Sequence, residues 1–218
     1  MIRQVIARAG IGWRLCVATL ACAAVATLLL VASPVRAAQP AVQARAAAPA
    51  PAVQGPAQWK VDAARSSIRF NATQAGAQFE GRFARFTPDI RFDARDLARS
   101  SARVVIDVSS VDSRSGERDT ALRGGDWFDP KRWPTAVFEA RRFQAQGSGF
   151  VADGQLTIRD RARPVRLSFT LRTAPDGTRT LQGQARLSRL AFGLGQGEFA
   201  STEWVGDAVT VDVTVVAR

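Results

Sequence analysis

Beyond residue 58, apolar and polar residues alternate with a period of two through most of the chain, a pattern that leaves little room for helices. In residues 67–73, Ile68, Phe70 and Ala72 share one side while Ser67, Arg69, Asn71 and Thr73 share the other. Val165, Leu167, Phe169 and Leu171 alternate in the same way with Arg166, Ser168, Thr170 and Arg172. Val209, Val211, Val213 and Val215 alternate with Ala208, Thr210, Asp212 and Thr214. Successive side chains of a strand point to opposite faces, so each segment reads as a strand with one buried and one solvated face. Further strands are expected over residues 59–62, 78–86, 89–92, 102–108, 136–143, 149–159 and 181–190. Asp176-Gly177 is a hairpin signal between two such runs, and Gly147-Ser148-Gly149 is another turn. The one helical candidate, residues 115–123, can be capped by Ser113 or Ser115 and ended by Gly124-Gly125. Short strands with one helical excursion make an antiparallel all-β domain, closed as a barrel or packed as a sandwich.

The residues available narrow the chemistry. The chain has no His, which removes imidazole general bases, Ser-His-Asp triads and the usual His-containing metal and haem sites. Its two cysteines, Cys16 and Cys22, both lie in an N-terminal apolar stretch. That stretch reads as an export signal: Arg3, Arg8 and Arg14, then an uncharged run over residues 15–32, then Val35-Arg36-Ala37 with cleavage expected after Ala37. The alternative is an uncleaved anchor, since the run is near the lower limit of the roughly 20 residues that span a bilayer. Cleavage leaves a domain without thiols and lowers the formal net charge from +11 to +7, because four arginines and no acids are removed. Residues 38–58 are nearly all Ala, Pro, Gln and Val and read as a semi-extended Ala/Pro-rich linker. One domain follows, residues 59–218. Its arginines are scattered along strands opposite apolar residues, as on a solvated sheet face, so nucleic acid is not an expected partner. Peripheral contact with an anionic membrane remains a secondary expectation.

Residues 112–138 carry a specific likeness. Ser110-Val111-Asp112-Ser113, Arg118-Asp119, Trp127-Phe128-Asp129 and Pro134-Thr135-Ala136-Val137-Phe138 fall in the order and spacing of the YceI-like family of bacterial periplasmic proteins, which the chain resembles. The likeness extends to Trp59-Lys60-Val61-Asp62 with Ser66-Ser67-Ile68-Arg69-Phe70, to Gly81-Arg82-Phe83, to Gly154-Gln155-Leu156-Thr157-Ile158-Arg159 and to the run from Arg189 to Gly195. It departs at Arg65, where the family often has His, and at Asp160-Arg161-Ala162, where the family has Gly-x-Thr.

The resemblance implies a lipocalin-like antiparallel barrel of about eight strands that holds a polyisoprenoid lipid or the tail of an isoprenoid quinone, as a periplasmic carrier or sensor without catalysis or cofactor. An eight-stranded barrel is just wide enough to be filled by its own side chains or to take one slender ligand. The expected lining is Ile68, Phe70, Phe83, Val104, Ile106, Phe138, Leu156, Ile158, Leu167, Phe169, Leu187 and Val211, with Trp127, Trp133 and Trp204 as a rim or a cap. Two other readings stand beside it: a filled core acting through a basic outer face as an envelope interaction module, and a hydrolase. The hydrolase would use Asp112, Arg114, Glu117, Arg118 and Asp119, but arginines interleaved with carboxylates favour a salt-bridged short helix fixing a lid segment. Gly193, Gly195 and Gly197 precede no helix start and no Lys, so they read as a bulged barrel corner and not a phosphate loop.

Overall fold

The computed structural model describes residues 55–218; the expected export signal and the expected linker as far as residue 54 lie outside the described residues. Ten strands form one antiparallel sheet: β1 (Ser67–Gln74), β2 (Ala77–Phe83), β3 (Phe86–Arg91), β4 (Ser101–Asp107), β5 (Val111–Asp112), β6 (Thr135–Gln146), β7 (Gly149–Ile158), β8 (Arg161–Thr173), β9 (Arg179–Ser188) and β10 (Ala208–Ala217). Their order is β3-β4-β6-β7-β8-β9-β10-β1-β2-β5. The sheet curls, bringing the alternating apolar faces inward.

The count is ten and not about eight because two strands bend. Only Ala84 and Arg85 separate β2 from β3, and only a 3-10 turn, Val108–Ser110, separates β4 from β5. β2 pairs with β5 and β3 with β4, so the two ends of the sheet are joined by continuous chain. Side chains lining the interior change from odd positions (Phe79, Phe83) to even ones (Phe86, Ile90) across the bend. Ser110 occupies it, its carbonyl and hydroxyl oxygens accepting from the Ala84 and Arg85 N–H groups at 3.1 and 3.0 Å. A parity change inside an apolar run marks such a bend.

The turns follow their sequence signals. Gly177 takes a φ of 81° between β8 and β9, and Gly147 one of 56° between β6 and β7. The helix α1 spans Gly116–Leu122, with Ser115 Oγ accepting from the Arg118 N–H and Gly124 N–H closing the last turn on Ala121 O at 2.8 Å. Among the described residues no helix is long and apolar enough to cross a membrane.

One end of the curled sheet is packed shut. Trp59, Ile90, Phe92, Phe169, Leu181 and Val215 form its core. Trp59 donates from Nε1 to Phe92 O at 3.0 Å and from its backbone to Ile90 O at 2.8 Å. The other end is covered by α1, the turn after it and the β9–β10 loop, whose Leu122, Trp127, Phe128, Phe192 and Leu194 pack over Ile68 and Phe70.

Outside, the arginines pair across strands in the open: Arg82 with Asp112 at 2.9 Å, Arg85 with Asp107 at 2.8 Å and Arg166 with Asp153 at 2.8 Å. Exposed pairs of this kind contribute little to stability, because solvent screens them. Hydrogen bonds from Ser109 and Arg85 hold the Asp107 carboxyl below the usual range. The Arg114 N–H and Arg82 do the same for Asp112, and Thr178 for Asp176. A carboxylate whose pKa is depressed by folding stabilises the fold above its unfolded value and loses that contribution as pH falls through the folded one. With no His to titrate, thermal melts are expected to be level between about pH 5 and 8 and to decline below about pH 4. A step near pH 6 would contradict this.

Candidate functional site

The inner face of the sheet encloses a cavity of about 580 Å³, within the roughly 300–1,000 Å³ of small-molecule sites. Every residue of the expected lining borders it except Trp133. Burial also separates filled from unfilled regions. Phe169 is packed among Phe92, Phe143 and Phe150, with ring centroids 5.3, 6.4 and 5.5 Å away, and belongs to the shut end. Val104, Phe138, Leu187, Val209 and Val211 point into the interior yet are only half-buried, so their open surface faces the cavity. The middle of the barrel is therefore hollow.

Glycines keep it so. Phe70 and Gly81 are directly opposite on β1 and β2, and a Cβ at Gly81 would stand 2.3 Å from Phe70 Cζ. At Gly154, opposite Ala140, a Cβ would meet Phe138 Cε2 at 2.6 Å. Each ring packs against the bare backbone of a neighbouring strand, where a side chain would collide with it. Gly81→Ala should push the Phe70 ring off the wall, costing about 1–3 kcal/mol by overpacking and reducing the space available to a ligand. Urea melts together with uptake of an apolar dye would show both effects.

The tryptophans divide three ways. Trp127, 9% exposed, caps the core against Phe199 at 5.5 Å, and its indole N–H has no hydrogen-bond partner among the described residues. Trp204 is the rim: it borders the cavity while 56% exposed. Trp133 is neither, because the turn after α1 carries it away from the cavity to lie against two guanidinium groups, those of Arg132 at 4.5 Å and Arg159 at 4.3 Å.

The covering end is fastened by arginines. Arg189, 2% exposed, donates from Nε to Gly206 O, from Nη1 to Leu194 O and Gly195 O, and from Nη2 to Ser201 O and Val205 O, at 2.7–3.4 Å. Burial pushes its pKa down, partly offset by Asp207. Arg159 joins the turn after α1 to the loop, donating from Nη1 to Trp127 O and Gly193 O at 2.9 and 3.0 Å. The Gly193-x-Gly195-x-Gly197 segment is not a bulged barrel corner. It connects two 3-10 turns, Leu190–Phe192 and Gly197–Ala200, and its positive φ values wrap the loop around Arg189.

The charged cluster by α1 is also built differently from the expected salt-bridged helix. Asp119 Oδ1 accepts from Ser113 N and Oγ at 2.8 and 2.7 Å, tying the helix to the preceding turn. Arg118 turns to Gln74 and Phe79, Arg114 to Glu80, and Asp112 to Arg82. No group of three or more His, Cys, Asp or Glu side chains able to hold a metal ion occurs among the described residues.

Known proteins share this architecture. The crystal structure of BcnA from Burkholderia cenocepacia is 32% identical and superposes with a TM-score of 0.70, covering 73% of this chain and all of that one. A polyisoprenoid binding domain from Saccharophagus degradans, 14% identical, matches in fold with a TM-score of 0.58 over 73% of this chain and 97% of its own. A UPF0312 protein of Vibrio parahaemolyticus is 35% identical over 104 residues, 47% of this chain and 55% of that one, so the chain spans about half the length of this curated relative. The model of the YceI-like domain matches residues 59–217, from the tryptophan of the shut end to the last strand, and the chain belongs to that family.

Proposed function

We propose that this protein is an exported, periplasmic binding protein that holds a polyisoprenoid lipid or the isoprenoid tail of a quinone in its barrel, as a carrier or sensor and not as an enzyme. The observation that carries this reading is the hollow centre: an apolar cavity bordered by half-buried inward side chains, shut at one end and reached at the other beside Trp204. A prenyl chain gains about 0.8 kcal/mol for each methylene-sized group transferred from water into such walls. The Saccharophagus degradans neighbour, a polyisoprenoid binding domain, agrees with it. The packed interaction module needs a filled core, and the cavity speaks against one. The hydrolase reading finds no general acid in Asp112, whose pKa is lowered, and Asp119 is occupied with Ser113. Native mass spectrometry and organic extraction of protein purified from the periplasm test the proposal. A co-purifying isoprenoid is the expected result, and an empty protein that takes up no added prenyl chain would overturn it.

A further inference from the structure

We propose that the mouth of this cavity selects amphiphiles whose head group carries an anionic oxygen, as a phosphate or carboxylate does, and that Arg118 is the side chain that reads it; this rests on the cavity holding an apolar tail. The lining is apolar almost throughout. Its polar members are Gln74, Ser115, Glu117, Arg118 and Arg189. Arg189 is spent, with all three nitrogens of its buried guanidinium on backbone carbonyls. The other four gather around α1, since Arg118 donates to Gln74 Oε1 at 2.9 Å and its N–H to Ser115 Oγ at 3.4 Å, and Gln74 bridges to Val205 beside the exposed Trp204. An amphiphile therefore has one orientation: tail toward Phe92 and Phe169, head beside Arg118.

Arg118 is half-buried and carries its charge without a carboxylate partner among the described residues. Glu117 and Asp119 flank it in sequence, yet neither pairs with it. Its Nε goes to Gln74, its Nη1 to Ser113 O at 3.3 Å, and its plane lies over the Phe79 ring at 4.1 Å. These contacts hold the guanidinium in place and leave Nη2 with no hydrogen bond among the described residues. A fixed, partly desolvated guanidinium with unused N–H groups matches a phosphate or carboxylate through charge-assisted hydrogen bonds, whereas a quinone carbonyl or an alcohol offers only a neutral acceptor. Glu117 is the one carboxylate in the lining and opposes an anionic head from its exposed position. The two neighbours therefore act with opposite sign on the same preference.

Two probes with the same tail, geranylgeranyl monophosphate and geranylgeraniol, isolate the head group in calorimetric titrations of the purified protein. The phosphate is expected to bind about tenfold more tightly, a difference of about 1.4 kcal/mol. Arg118→Met should abolish the preference by weakening the phosphate alone, Arg118→Lys should retain part of it, and Glu117→Gln should enlarge it. Arg172→Gln, an exposed change on β8, should leave it unchanged and so separates a local contact from the overall positive charge. Equal binding of both probes by the parent protein, or a preference that survives Arg118→Met in a protein that melts normally, overturns the head-group assignment while the cavity reading stands. Inorganic phosphate that binds alone as tightly as the prenyl phosphate also overturns it, identifying a free-anion site. Failure of both prenyl probes to bind removes the cavity reading and this proposal with it.

Discussion

Replacing Arg189 with Met should cost about 4 kcal/mol or more and lower the melting temperature by about 10 °C or more. Methionine keeps an unbranched apolar stem at this buried position, so the substitution chiefly removes the guanidinium and its hydrogen bonds. Five carbonyls, those of Leu194, Gly195, Ser201, Val205 and Gly206, then lose their shared donor. Bonds to a charged donor contribute about 1.5–3 kcal/mol each, and buried acceptors left unpaired cost a comparable amount; the sum falls short of additivity because the loop can open to water. Total stabilities of about 5–15 kcal/mol make this a large fraction. Arg189→Lys should recover little, because an ammonium offers three donors at one point and cannot span carbonyls on both sides of the loop. Gly195→Ala should weaken the same device from the other side, since a Cβ there would stand 2.2 Å from Arg189 Nη1 on a backbone with a φ of 78°. Hydrogen exchange should localise the damage to the β9–β10 loop and the turn after α1. A melt unchanged by Arg189→Met would mean that the carbonyls are satisfied without the guanidinium.

Nothing in the local sequence announces that role. Arg189 opens the motif that runs to Gly195, but the motif does not show where its guanidinium goes, and its burial is decided by a loop that closes over it from 16 residues later, at Val205. The strands were legible for the opposite reason: period two is a local property that survives in any environment with one wet and one dry face. Length and bending were less so. Val111–Asp112 became a separate strand because the chain turns at Val108–Ser110, and a two-residue strand leaves no period to read. Trp133, expected at a rim or cap, lies instead against Arg132 and Arg159, because an aromatic ring beside Pro and Arg fits a cation–π stack as well as an apolar surface. The charged cluster at α1 likewise showed which groups were near one another in sequence and not which would bond: apart from Ser113, the partners described above came from β1 and β2. The alternating pattern thus marks residues that border the cavity, while its fastenings and its mouth depend on contacts between distant segments.

Val211→Trp should reduce binding of a prenyl chain at least tenfold while leaving the protein as stable as before or slightly more so. Val211 lies mid-strand on β10 between Phe70 of β1 and Ala185 of β9, pointing inward and half-buried. Its small neighbour Ala185 and the open lumen give an indole somewhere to go, so the added ring fills space that a ligand would otherwise occupy. Filling a true cavity stabilises by about 0.5–2 kcal/mol, whereas forcing the same bulk into a packed core costs about 1–3 kcal/mol. The sign of the stability change therefore reports on the hollow centre independently of any ligand. Phe169→Trp is the informative contrast. Phe169 also borders the cavity, but its ring is held by Phe92, Phe143 and Phe150, so enlarging it should destabilise by overpacking at the shut end. Arg166→Gln on the outer face, which loses only an exposed pair with Asp153, should affect neither quantity. If Val211→Trp instead destabilises by several kcal/mol and prenyl binding persists, the ligand lies outside the barrel and the interior is a core that merely looks hollow.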